Sequence, residues 1–129
     1  MQTFKKHERL AGQKITDKLF TQGKSFKVEP FRMIWLVQEQ TALFPAQVLI
    51  SVSKKRIKKA VDRNLIKRRI REAYRKNKNK LYQFLDQNEI KCVFAILYNS
   101  DIIESYQEIE EKINLLLLRF QSEYEKNIK

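Results

Sequence analysis

Fourteen lysines and arginines crowd the segment from Lys54 to Lys80, against two acids, Asp62 and Glu72. The whole chain carries 27 basic and 15 acidic residues, a net +12. The excess therefore sits in that one segment, and the remainder is close to neutral. A protein that was merely basic would spread its charge. A localised patch points to a polyanion: RNA, DNA or an acidic membrane surface. On a helix turning about 100° per residue, Lys67, Arg68, Arg71, Arg75 and Lys78 fall within roughly 60° of Asn64. Ile66, Ile70, Ala73, Tyr74 and Asn77 fall nearly opposite. One face can then pack while the other presents cations over about 21 Å. Arginine suits bidentate contacts to phosphate or to a guanine edge, and Asn64 can both donate and accept.

Several of these like charges stand three or four positions apart, where each pair destabilises a free helix by a few tenths of a kcal/mol. An anionic partner would offset that cost. A membrane fits poorly, because the opposite face belongs to the core and leaves no apolar surface to insert.

Other chemistry is thinly represented. His7 is the only histidine and Cys92 the only cysteine, which precludes an intramolecular disulfide and suits a reducing compartment. No C-x-x-C pair, glycine-rich phosphate loop or H-E-x-x-H is present. Ser53 and Lys54 are adjacent, so on a strand they would point to opposite faces. Glu104, Glu108, Glu110 and Glu111 read as a solvated helix face near a helix N-terminus. The expectation is no catalytic residue and no metal site on the polypeptide. No run is long enough to span a bilayer or to serve as a signal peptide, so a cytoplasmic protein is expected.

The elements that must position the stripe can be read from periodicity. Gln13 to Gln22 is helix-like, with Ile15, Leu19 and Phe20 on one side and Gly23 as its stop. In SFKVEPFRMIWLVQ, Pro30 divides an edge piece from a strand over Phe31–Gln38. EQTALFPA is a turn, and Gln47 to Ser53 is another strand. The basic helix is expected from about Ala60 to Lys78. IKCVFAILY reads as a strand buried on both faces at the centre of a sheet. A last helix is expected from about Ile103 to Lys126, capped by Ser100 or Asp101, with Ile102 among its apolar positions. The outcome is an α+β fold of one domain over residues 1–129, ordered α-β-β-β-α-β-α. A single mixed sheet of about four strands lies against one layer of helices.

The stretch SVSKKRIKKAVDRNLIKRRIREAYR, from Ser51 to Arg75, resembles the bacterial ribonuclease P protein family. That family has an S-V-S-K-K strand end followed by an R-N-R-x-K-R-x-x-R-E helix. RLAGQKITDKLFTQGKSF is similar to its first helix, which ends in a phenylalanine and a glycine, here Phe20 and Gly23. The sequence departs from the pattern at Leu65, in place of the third triplet residue, at Leu49, in place of a glycine, and in a longer loop before the helix. The resemblance implies a partner, the catalytic RNA of ribonuclease P. It implies a substrate, precursor tRNA, whose 5′ leader the RNA removes by hydrolysis with bound magnesium. The expected RNA-binding residues are Lys54, Lys55, Arg63, Asn64, Lys67, Arg68, Arg71, Arg75 and Lys78. A leader cleft is expected between the sheet and the first helix. Phe20 is nominated for it, with Arg32 and Ile34 lining it if Phe31, Met33 and Trp35 face the core. The alternative is a general structured-RNA-binding protein of ribosomal-protein type without a processing role.

Overall fold

A computed structural model describes residues 8–9, 12–38 and 45–127. Its elements are α1 (Gln13–Gln22), β1 (Lys24–Val28), β2 (Phe31–Gln38), β3 (Ala46–Val52), α2 (Ala60–Gln87), β4 (Lys91–Tyr98) and α3 (Tyr106–Asn127). Four strands form one sheet in the order β1-β2-β4-β3, with β4 inside it as its apolar run requires. β1 and β2 pair antiparallel around a cis Glu29–Pro30 bond, and β2 pairs antiparallel with β4. β3 runs parallel to β4, and α2 makes the connection between them. A bridge from Arg9 to Val48 lies along the outer side of β3.

The alternation along β2 decides which face is interior. Phe31, Met33 and Trp35 join Val48, Val52, Phe94 and Ile96 beneath α2 and α3 in the main core. Trp35, Phe84, Phe94 and Phe120 stack edge-to-face there, with ring centroids 5.0–6.0 Å apart, a favoured geometry for aromatic pairs. The other face carries Ile34, Val93 and Ala95, covered by Leu19 of α1 with Ile15 beside it. Helices thus lie on both faces of the sheet, whereas the sequence suggested a single helical layer.

Two helix boundaries differ from expectation. α2 runs nine residues beyond Lys78, because Leu81, Phe84 and Leu85 continue its buried side. α3 begins at Tyr106, where the Ser105 hydroxyl accepts from the Glu108 backbone N–H at 3.2 Å as an N-cap. Ile102 accordingly lies before the helix and is exposed. Most of the EQTALFPA turn, and His7, fall outside the described residues. Among the described residues, no helix is long and apolar enough to cross a membrane.

Candidate nucleic-acid interface

The loop leading into α2 is fixed from both sides. Ser53 N–H donates to Tyr98 O at 3.2 Å, Ile57 N–H to Ser53 O at 2.9 Å, and the Ile57 side chain is buried. Arg63 Nη1 then donates back to the carbonyls of Ile57 at 2.8 Å and Lys58 at 2.7 Å. One terminal nitrogen of this expected RNA contact is therefore committed to the loop. Lys54 and Lys55 are exposed in the turn just after β3.

Along α2 the cationic stripe divides into two halves. Asn64 and Arg68 are exposed, and Lys67 and Arg71 are half-buried. Further along, Arg75 already forms a fork with Glu72, with Nε donating to Oε2 at 3.0 Å. That contact holds the Glu72 carboxyl below its ordinary range and pushes the Arg75 guanidinium up. Lys78 corrects the reading more sharply. It is buried, with Nζ 2.6 Å from Glu8 Oε2, and the same carboxylate accepts from the Tyr82 hydroxyl. Lys78 sits at the margin of the buried side that Tyr74 and Leu81 share, and its pairing with Glu8 takes it off the exposed stripe. Of the expected set on α2, the side chains that stay open to solvent without an ion-pair partner on the helix itself, Asn64, Lys67, Arg68 and Arg71, lie on its N-terminal half.

Two arginines outside the expected set, Arg9 and Arg69, join that face. Arg9, Arg68, Arg69, Arg71, Arg75 and Tyr106 line a concavity of about 490 Å³, with Glu72 its one acid. Arg69 Nη1 donates to Glu104 O, which ties α2 to the loop before α3. Desolvation, and then the charge of Arg9, lower the pKa of Arg71. Both effects disfavour the charged guanidinium and would be relieved by an anion in the concavity. Nothing in the periodicity of α2 points to Arg9, which arrives from the N-terminal segment. The Glu72–Arg75 spacing was visible as a possible i,i+3 pair.

The face that carries α1 is left partly open. Lys27 pairs with Arg32, Arg32 with Leu97, and Leu97 with Ser51, so these four form one row across all four strands. Lys27 and Arg32 are exposed, while Leu97 and Ser51 are half-buried. With Ser53 and Asn99 they border a cavity of about 260 Å³. Arg32 Nη2 reaches the Ser25 hydroxyl at 3.2 Å. Ile34 shares this face but lies under Leu19, so it supports the cleft wall rather than lining open space. Phe20 projects from α1, 46% exposed.

A family model described as Ribonuclease P matches residues 4–121. The chain belongs to the ribonuclease P protein family. Ribonuclease P protein components of Porphyromonas gingivalis and Chlorobium phaeobacteroides are each 34% identical to it. They match over 88% and 89% of this chain and 83% and 86% of their own lengths, respectively. That of a Picosynechococcus species is 36% identical over 88% of this chain and 90% of its own. The solved ribonuclease P proteins of Staphylococcus aureus and Thermotoga maritima superpose with TM-scores of 0.69 and 0.68. Their identities are 20% and 24%; they cover 88% and 87% of this chain and 94% and 96% of theirs. At that identity the likeness speaks for the fold alone. In this ribonuclease P protein the departure at Leu65 is a half-buried side chain on the flank of α2, and no neighbouring residue explains the substitution.

Proposed function

We propose that this protein binds the catalytic RNA of ribonuclease P through the N-terminal half of α2 and guides the 5′ leader of precursor tRNA across the face that carries α1. The observation behind the reading is the crowding of Arg9, Arg68, Arg69 and Arg71 around one concavity, in a member of this family. Cations there would neutralise RNA phosphates and lower the magnesium needed to hold the complex together. The Lys27–Arg32–Leu97–Ser51 row runs from two adjacent cations to an apolar floor and a hydroxyl. Such a surface suits a single strand, whose backbone needs charge and whose bases need a flat apolar contact. Phe20 stands at the edge of α1 as a stacking platform, and Lys54 and Lys55 supply charge at the strand end.

Hydrolysis in this reading belongs to the RNA and its magnesium. Among the described residues no group of three or more His, Cys, Asp or Glu side chains is placed to hold a metal ion, and no step is assigned to the polypeptide. The role of the protein is to bind, orient and screen charge.

The test is cleavage of precursor tRNA by the cognate catalytic RNA at low magnesium, with and without the protein. Strong stimulation is expected, and greater for a substrate carrying a leader than for one cut back to a single leader nucleotide. Equal rates with and without protein would refute the proposal.

A further inference from the structure

The second half of α2 carries charge that the docking face cannot use. Lys76 and Lys80 are rotated roughly 140° and 180° from Arg71 about the helix axis, toward α3. Between the two helices lies a groove of about 430 Å³, bordered by Lys76, Asn79 and Lys80 on α2 and by Asn114, Leu118 and Gln121 on α3. Lys76, Asn79, Lys80 and Leu118 are exposed; Asn114 and Gln121 are half-buried. Among the described residues, no carboxylate borders the groove. Glu110, at the end toward Tyr106, accepts from Tyr106 Oη and from Asn77 Nδ2, both at 3.1 Å, so its charge is already engaged.

This lining has a specific chemistry. Two ammonium groups suit phosphates, while carboxamides donate and accept and so match ribose hydroxyls and base edges. An exposed leucine offers a surface for a sugar or base face. An acidic protein would satisfy the lysines and leave the amides with little to read. The groove also continues the docking face: Lys76 Nζ sits 5.6 Å over the ring of Tyr106, and Tyr106 borders the arginine concavity.

We propose that the groove between the C-terminal half of α2 and α3 is a second RNA-contact surface, taking a ribose–phosphate segment of the same RNA that docks on Arg68 and Arg71. The proposal rests on the RNA-subunit reading above. Cys92, the only cysteine, is buried, so a single introduced cysteine can carry a tethered hydroxyl-radical source. The variants are Asn79→Cys and Gln121→Cys in the groove, and Val61→Cys at the start of α2, each assembled with the cognate catalytic RNA. Probes at 79 and 121 should cut one shared run of nucleotides, distinct from the cuts made from 61. Cuts from 61 with silence from 79 and 121 would overturn the groove and leave the docking face intact. Silence from all three would remove the RNA-subunit reading itself. Lys76→Ala with Lys80→Ala should also make the slope of log affinity against log salt shallower by roughly 1.5 to 2; an unchanged slope would count against the groove.

Discussion

Lys78 Nζ and Glu8 Oε2 lie 2.6 Å apart, with both side chains more than nine-tenths buried. The pair joins the N-terminal segment to the middle of α2, and Arg9 follows Glu8 directly into the arginine concavity. Removing one partner from a buried pair leaves an uncompensated charge, which costs about 3–5 kcal/mol. Glu8→Ala or Lys78→Ala should each lower the unfolding free energy by that order and the denaturation midpoint with it, followed by the fluorescence of Trp35. Glu8→Leu with Lys78→Met should recover most of the loss. A midpoint unmoved in both single variants would show that the segment is not anchored there.

Arg68→Ala combined with Arg71→Ala should weaken binding to the catalytic RNA and leave the melting temperature nearly unchanged. Arg68 is exposed, and the desolvation and the neighbouring Arg9 that lower the pKa of Arg71 are costs to the fold. The salt dependence of affinity should become shallower by about two units, one for each phosphate no longer neutralised. Unfolding of this variant in thermal melts would instead make the arginines structural.

Gly23 tests the junction of α1 with the sheet. A Cβ there would meet Leu19 O at 2.3 Å and Ile34 Cγ2 at 2.7 Å. Its backbone is extended, with φ −69° and ψ 156°, so close approach excludes a side chain and no unusual torsion is involved. Overpacking of this kind costs typically about 1–3 kcal/mol. Gly23→Ala should lose stability on that scale and shift α1 away from Ile34, altering the cleft wall. Wild-type stability and unchanged leader affinity would contradict it.

Burial pushes the Cys92 thiol up from 9.0 to about 12. The folded state therefore favours the neutral form. Its contribution to stability is full below pH 9, and is lost as the pH rises from about 9 toward 12. Alkylation of Cys92 should be slow in the native protein at neutral pH and fast in denaturant. Rapid native labelling would mean that β4 is open to solvent.

Local pattern was enough to read β2, β4 and the cationic half of α2. The aromatic and β-branched residues of Phe31–Gln38 and the unbroken apolar run of β4 have few other solutions. The assignment of Phe31, Met33 and Trp35 to the core followed from placing Arg32 outward, and the structure has that arrangement. Lys78 was misplaced because it sits on the margin between stripe and apolar side. The acid that draws it inward lies 70 residues away in sequence, beyond any helical period. Arg9 was missed for the same reason. The extension of α2 was legible in Leu81, Phe84 and Leu85, which continue the spacing of Ile70 and Tyr74. The placement of α1 opposite α2 and α3 depends on which sheet face each apolar side selects, and both faces offered aliphatic side chains.

The parallel pairing of β3 with β4 has a consequence for how the chain comes to be folded. Ala46 meets Cys92 and Phe31 meets Tyr98 only after the whole of α2 has been made. Contacts so distant in sequence slow folding, because chain entropy is lost before they form. Until Tyr98 has emerged, the inner strand is incomplete and α2 has no finished sheet to rest on. The cationic helix must therefore acquire its orientation late in synthesis, and a nascent chain halted before β4 would display its arginines without the scaffold that aims them.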